Sequence, residues 1–305
     1  MNGVIVVHKP QEFTSFDVVA VMRRLCGQRK IGHTGTLDPM ATGVLPVLLG
    51  SATRAQDILP DSDKEYEAGF SLGVTTDTLD IWGEIREKRE SHVSSEEFSD
   101  VLPIFRGKIS QLPPMYSAVK KNGVRLYDLA RQGVEVEREP RIVNISSLEL
   151  LEFNEQEQSG RLRIACSKGT YIRSLIDDIG KNLGCGAVMT SLVRTRACGF
   201  TLEDAKTLDE IRELSNDGGS PENTLSLLRS TESLFTDYEK LLVSDKQAAR
   251  FSNGNPLDVE KTALRGRAQN GALVRVCGRT DGFVGLGRVD TDKSAVVIYK
   301  LFLNK

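Results

Sequence analysis

The side chains in this chain that are able to do chemistry are few, and most of the usual pairings among them are missing. The five cysteines, Cys26, Cys166, Cys185, Cys198 and Cys277, are scattered with no C-x-x-C pair, which argues against a disulfide framework and against a zinc site. They read as small buried hydrophobes. His8, His33 and His92 are too far apart to form a helical metal pair, and no G-x-G-type nucleotide signature stands between a strand and a helix. What remains is carboxylate, arginine and tyrosine: Asp38 inside GHTGTLDPMATG, Arg173 four residues before Asp177, and Tyr66 and Tyr171. A carboxylate can act as nucleophile or proton acceptor. Taken singly, each residue also has an ordinary account. Asp38 before Pro39 is a turn, Arg173 with Asp177 is a surface ion pair, and the tyrosines are core aromatics with a hydroxyl at the edge.

The elements that must position these residues can be read in turn. GVIVVHKP is a short apolar strand that stops at Pro10, which has no amide to give a ladder. Ser15 predicts an N-cap with Asp17 in the first turn. Val18, Val19, Met22, Leu25 and Cys26 follow at helical spacing, with Arg23 and Arg24 toward the negative end of the dipole. From Gly32 to Gly43 there is too much glycine for regular structure, so that stretch is a loop held against something. VLPVLLG and YEAGFSLG read as strands, and RLRIAC alternates Leu162, Ile164 and Cys166 on one face. After SKGTY, the residues Ile172, Leu175, Ile176, Ile179 and Leu183 form the apolar stripe of a helix closed by Gly184. LSNDGGSPEN, residues 214 to 223, predicts a surface loop. Past residue 237, ALVRVC, FVGLGRVD and SAVVIYKLF are short strands joined by turns such as Thr280-Asp281-Gly282. They predict a small β-rich terminal domain, and the irregular succession before it predicts α+β rather than a doubly wound sheet.

At 305 residues, 39% apolar and 27% charged, the chain is expected to form a main globular domain and a smaller one. No apolar run reaches the roughly 18–20 residues of a membrane span. MNGVIVVHKP lacks the basic leader of a secretory signal, and the cytoplasm is the expected location. A net charge of −2 gives no global sign of nucleic acid. The distribution is more informative. Residues 106 to 141 carry Arg106, Lys108, Lys120, Lys121, Arg125, Arg131, Arg138 and Arg141 against Asp128, Glu135, Glu137 and Glu139, while 203 to 222 is acidic. Such a basic region can hold phosphates while an acidic face stays in solvent.

In combination and in order, these segments resemble the TruB family of pseudouridine synthases over essentially the whole chain. GHTGTLDPMATGVLPVLLG resembles the family's catalytic loop and HKPQEFTSFD its lysine-proline motif. SDKEYEAGFSLGVTTDTLD is similar to the tyrosine-bearing strand, PPMYSAVKKNGVRLYDLARQG to the tRNA-gripping insertion, and CSKGTYIRSLIDDIGKNLGCGA to the arginine motif. RFSNGNPL resembles the start of the terminal module. The resemblance implies a pseudouridine synthase fold, a mixed and mainly antiparallel sheet with flanking helices, over residues 1–236. The basic insertion at about 106–141 would lie within it, and a PUA-like RNA-binding module would occupy 237–305.

It also implies roles. Asp38 would be the essential carboxylate, Arg173 its partner, and Tyr66 the ring against the target uracil. Lys9 and Pro10 would support the catalytic loop, Tyr171 and Leu192 would line the pocket, and His33 would reach into an opened T loop. Asp80 would lie close to the pocket, although Ile81-Trp82-Gly83 stands where a further Asp often precedes the Gly. Lys120, Lys121, Arg125 and Arg131 would contact phosphates. The implied partner is the T stem-loop of tRNA, with no cofactor, no metal, no membrane and no obligate protein partner, and the protein would be a monomer.

Such chemistry suits these residue types. Breaking the N1–C1′ bond of uridine yields a uracil anion that must be kept, so one carboxylate can suffice; a hydrolase would need a second carboxyl group and a water beside it. A neighbouring arginine keeps a carboxylate in a dry pocket ionised and aimed. Three rivals compete: a guide-RNA-dependent synthase of ribosomal RNA, a non-catalytic RNA-binding or RNA-folding protein on the same fold, and an N-glycoside hydrolase. The first usually carries basic tails and a larger terminal domain, the second has no need of a buried carboxylate facing phosphates, and the third would release free uracil.

Overall fold

The structure, a computed structural model, describes residues 1–60, 63–216, 221–280 and 282–303. Strand β1 (Gly3–Lys9) is apolar and almost wholly buried. It leads into helix α1 (Ser15–Leu25), whose cap is Thr14 and not the Ser15 that the sequence suggests. Thr14 Oγ1 accepts the Asp17 amide, and the Asp17 carboxylate accepts from the amide and hydroxyl of Thr14. This capping box satisfies two end groups reciprocally, and the Thr14 hydroxyl and amide hold the Asp17 carboxyl below its ordinary range. Ser15 is thereby the first helical residue, buried and free to bond elsewhere.

Next come β2 (Ile31–His33) and β3 (Thr42–Leu49), antiparallel to each other. Both ends of the expected Gly32–Gly43 loop are therefore strand, and irregular backbone is confined to 34–41. Then follow β4 (Lys64–Leu72), the hairpin β5 (Val74–Thr76) and β6 (Ile85–Lys88), α2 (Ser95–Val101) and β7 (Gly107–Gln111). A minimal hairpin, β8 (Lys120–Lys121) and β9 (Val124–Arg125), runs into α3 (Leu126–Arg131). The long β10 (Arg141–Asn154), β11 (Ser159–Cys166), α4 (Ile172–Asn182) and β12 (Ala187–Ala197) complete this stretch. After β13 (Phe200–Thr201), β14 (Lys206–Thr207) and α5 (Leu208–Asn216) come β15 (Glu239–Val243), α6 (Asp245–Ser252) and β16 (Leu257–Asp258). The last three strands are β17 (Leu273–Gly278), β18 (Gly282–Asp290) and β19 (Ala295–Leu301). The expected surface loop begins later than its turn formers suggest, because α5 carries 214–216; residues 217–220 of that loop and Asp281 of the expected turn lie outside the described residues.

The chain divides into two compact units. One comprises Pro39–Val44 and Ser62–Ala197. In it β12, β4, β11, β10 and β7 run antiparallel in that order, and β12 also pairs in parallel with Thr42 and Gly43 at the start of β3. This is the mixed, mainly antiparallel sheet expected. Alternation buries Tyr66, Ala68 and Phe70 alongside Leu162, Ile164 and Cys166. Helix α4 follows its predicted stripe, burying Ile172, Leu175, Ile176 and Ile179, and it packs so closely on β12 that a Cβ at Gly180 would fall 2.2 Å from the Ala187 nitrogen. Glycine inside a helix costs about 1 kcal/mol of propensity; here the close approach requires it. Phe98 of α2 stacks on Phe70 at 4.5 Å and on Phe153 at 5.2 Å.

The other unit comprises Met1–Asp38, Leu45–Asp61 and Cys198–Lys305. There β14 pairs in parallel with β1, and α1 and α5 bury Val18, Val19, Met22, Leu208 and Ile211 with Ile5, Val7, Val47 and Leu49. A five-stranded sheet ordered β15-β17-β18-β19-β16 has a parallel first pair and antiparallel pairs after it. It has its own core of Leu241, Phe251, Val276, Leu257 and Val296, so the terminal β-rich prediction holds. No helix among the described residues is long and apolar enough to cross a membrane.

Candidate active site

Arg173 sits in the first turn of α4, and its neighbours fix that turn. Tyr171, the residue before the helix, has no side-chain cap. Instead the buried Gln111 of β7 accepts the Tyr171 amide at 2.8 Å and donates to its carbonyl at 3.0 Å. Arg173 itself is 5% exposed. Its Nη1 donates to the Thr78 carbonyl and its Nη2 to the Tyr116 carbonyl, each at 2.9 Å, and the guanidinium stands 3.7 Å from the Asp80 carboxylate. Asp177, the carboxylate one turn on, takes Lys181 at 2.5 Å. The ordinary account of an Arg173–Asp177 surface pair is replaced by a buried cation with planar, multiply anchored geometry.

Asp80 lies in the turn between β5 and β6. Leu79 there has φ +65°, and the turn is stitched to β12 by Ile81 N–H donating to the Met189 carbonyl and Met189 N–H to the Leu79 carbonyl. Asp80 Oδ1 accepts the Thr78 hydroxyl at 2.7 Å and the Trp82 amide at 3.3 Å. Asp80 is thus brought to Arg173, an association its sequence position alone does not disclose. Tyr116, unnoticed in the sequence, supports the same arginine through its carbonyl, while its hydroxyl donates to Asp77 at 3.1 Å. Burial first, and the Asp77 carboxylate second, push the Tyr116 phenol above its ordinary value. No local pattern marks it, since its partners Asp77 and Arg173 lie 39 and 57 residues away.

Tyr66 on β4 and Leu192 on β12 are 6% and 7% exposed. Opposite Tyr66 in register is Arg194, fully buried, whose Nε donates to the Val44 carbonyl at 2.7 Å. Gly43, at φ +104°, makes room: a Cβ there would lie 2.2 Å from the Arg194 carbonyl oxygen. Sequence reasoning missed Arg194, though in SLVRTRACGF it shares the parity of Leu192 and so the inward face.

The remaining candidates belong to the other unit. Lys9 is wholly buried at the end of β1, and its Nζ donates to the carbonyls of Pro10 at 2.8 Å and Phe13 at 2.5 Å. It ties the half-buried Pro10 turn, where Glu12 takes φ +65°, to the strand. Half-buried His33 accepts the Gly35 amide on Nδ1 at 3.2 Å, and Thr34 N–H donates to the Pro46 carbonyl. Leu37 is buried, and half-buried Asp38 follows it directly. Asp38, Lys9, Pro10 and His33 are in this unit; Tyr66, Asp80, Tyr171, Arg173 and Leu192 are in the first.

Lys120, Lys121, Arg125 and Arg131 are all exposed, on β8, β9 and α3. Arg125 and Arg131 both lie over the Tyr127 ring, at 5.7 and 5.6 Å, and Arg125 also donates to the Tyr127 hydroxyl. A pocket of about 480 Å³ opens here, lined by Lys120, Lys121, Asn122, Arg138 and Arg141 among others. Glu137 and Glu139 line it as well, and neither Tyr66 nor Arg173 does; Lys120, Lys121, Arg138 and Arg141 against those two carboxylates leave the walls net basic, which suits a phosphate more than an uncharged base. The five cysteines are buried thiols, and burial pushes Cys166 and Cys277 up to about 11, far from a reactive thiolate.

Comparison with known proteins gives three consecutive family matches. The TruB family pseudouridylate synthase N-terminal domain matches residues 23–172, the tRNA pseudouridylate synthase B C-terminal domain 173–236, and the pseudouridine synthase II TruB C-terminal region 240–295. The tRNA pseudouridine synthase B of Stutzerimonas stutzeri is 43% identical over 96% of this chain and 93% of its own. That of Clostridium tetani is 42% identical over 94% and 96%. Among solved structures, a chain of a Cbf5–Nop10–Gar1 complex aligns with a TM-score of 0.76 at 30% identity, covering 99% of this chain and 85% of that one. An H/ACA ribonucleoprotein bound to a substrate RNA containing 2′-deoxyuridine aligns at 0.75 with 28% identity, covering 99% and 85%.

Proposed function

The chain belongs to the TruB family of pseudouridylate synthases, and on that premise we propose that it isomerises a uridine of tRNA, the T-loop uridine at position 55, with Asp38 as the catalytic carboxylate. The observation that carries the reading is Arg173: a buried arginine fixed by two carbonyls and by Asp80, on the helix that packs against the strands of Tyr66 and Leu192. A cation so anchored is ready to hold a carboxylate ionised and oriented, and Asp38 is the carboxylate assigned to it.

The target uridine leaves its stack at a cost of a few kcal/mol. Stacking on Tyr66, worth about 1–3 kcal/mol, and His33 in the opened T loop offset that cost. Asp38 then acts at the nucleoside. Attack at uracil C6, attack at C1′ and proton removal from C2′ all use this one carboxylate. The N1–C1′ bond breaks, the uracil turns while held, C5 joins C1′, and the C5 proton leaves, with Tyr66 placed to accept it. Lys9 and Pro10 brace the loop, and Lys120, Lys121, Arg125 and Arg131 hold phosphates of the T stem. Residues 1–236 form the catalytic domain and 237–305 a second RNA contact. The enzyme works as a cytoplasmic monomer without cofactor.

The test uses unmodified tRNA carrying tritium at uridine C5. Wild type releases tritium stoichiometrically with pseudouridine mapped to position 55, and Asp38→Asn releases none while still binding. Release by Asp38→Asn would remove the assignment; tight binding with no release from either protein would leave a non-catalytic RNA-binding protein; and free uracil would mean a hydrolase.

A further inference from the structure

Asp38 stands on irregular backbone, and a reacting carboxylate there needs its main chain held by something stiffer than a loop. The residue immediately before it, Leu37, has both main-chain polar groups bound to one side chain. Ser15 Oγ accepts the Leu37 N–H at 2.8 Å and donates to the Leu37 carbonyl at 3.3 Å. Ser15 is 1% exposed and Leu37 3%, so water does not compete for either bond.

We propose that Ser15 is a positioning residue for the reaction, clamping the main chain at Leu37 so that Asp38 is presented in one orientation; this rests on the synthase reading above. The clamp is possible only because Thr14, and not Ser15, caps α1. Capping uses up the Thr14 hydroxyl on Asp17 and leaves the next hydroxyl, at the first helical position, for the loop. The helix behind it is itself rigid, with Val18, Val19 and Met22 packed into the core against β1 and β3. The two adjacent hydroxyls therefore divide the work: Thr14 starts the helix, and Ser15 transfers the helix's rigidity to the carboxylate loop.

That division supplies the test. Thr14→Ala removes the cap and lowers Tm by about 2–4 °C, but leaves the Leu37 bonds in place. Ser15→Ala removes them. Under single turnover with C5-tritiated tRNA, Ser15→Ala is expected to slow release by about 100-fold, the scale of a misplacement near 1 Å, with the tRNA Kd within a few-fold of wild type. Ser15→Thr, which restores the hydroxyl, recovers most of the rate. In the free protein, amide exchange of the peptide carrying Leu37 and Asp38 quickens in Ser15→Ala and not in Thr14→Ala. A Ser15→Ala enzyme as fast as Thr14→Ala, or with unchanged exchange at Leu37, overturns the proposal. Absence of release from wild type would instead overturn the synthase reading, while the exchange measurement still reports whether the clamp exists.

Discussion

The wall of β4, α4 and β12 and the 106–141 insertion belong to the same compact unit, yet they hold their candidate site residues in opposite ways. On the wall, Arg173, Tyr66 and Leu192 are each under a tenth exposed and stand on elements of nine to eleven residues. In the insertion, Lys120, Lys121, Arg125 and Arg131 are exposed on strands of two residues and a helix of six. On the synthase reading proposed above, the difference suits two tasks. A group that must meet developing charge gains from being dry and immobile before substrate arrives. A group that meets phosphates gains from long reach and a hydrated, adaptable head. The Tyr127 ring that both Arg125 and Arg131 lie over orders these cations without burying them.

The largest effect expected from this contrast is that of Arg173→Ala. It removes a preorganised cation, and single-turnover tritium release should fall on the order of 10²–10³-fold with tRNA affinity nearly unchanged. Urea unfolding run alongside separates this loss from a stability loss, which is also expected because the Asp80 side chain, 14% exposed in the intact protein, loses that guanidinium. If affinity fell while the bound complex turned over normally, Arg173 would belong with the gripping residues and the contrast would collapse.

Some of this is visible in the sequence, and the rest is hidden for identifiable reasons. The β11 alternation and the α4 stripe are local periodicities, and both stand in the structure at the residues that carry them. Asp80 meeting Arg173, Tyr116 lending its carbonyl, and Arg194 reaching Val44 are partnerships across 93 (173 − 80), 57 and 150 residues, and no local pattern encodes a partner. The cap of α1 falls one residue from where the sequence suggests because Thr14 and Ser15 are both good caps; only the reciprocal bond from Asp17 decides between them. Motif resemblance singles out Arg173, whereas spacing alone assigns it to Asp177.

The insertion should show a smaller effect and a different signature. Replacing Lys120, Lys121, Arg125 and Arg131 one at a time by alanine should weaken tRNA binding while leaving the rate of the bound complex intact. The slope of log K against log salt should become shallower by about 0.9 for each duplex phosphate that is no longer gripped. Filter binding between 50 and 200 mM salt, about the range over which such interactions are screened, measures it. An unchanged slope for all four would show that these exposed cations are solvated surface. A drop in the rate of the bound complex would show that the insertion shares the chemistry.

The smallest effect concerns a carboxylate between the two extremes, on the same helix as Arg173. Asp178 is partly buried, and burial first, with Asp177 adding to it and Lys181 opposing, lifts its carboxyl above the ordinary 3.8. A raised folded-state value means that the protonated form is favoured by folding. The stabilising balance is therefore complete below the unfolded value and is lost as pH rises through the folded one, so ionised Asp178 costs stability at neutral pH. Asp178→Asn should accordingly stabilise the protein at pH 7. The side chain is 37% exposed and faces Lys181 at 3.8 Å, so solvent screening and the loss of that ion pair in the variant limit the gain to about 0.2–0.5 kcal/mol. Urea midpoints for wild type and Asp178→Asn should converge as pH falls below 3.8. Equal midpoints at pH 7 would mean that Lys181 offsets burial at Asp178, and an Asp178→Asn protein less stable than wild type at pH 7 would mean that Lys181 outweighs it, so that dryness on α4 governs charge only where a side chain is as deeply placed as Arg173.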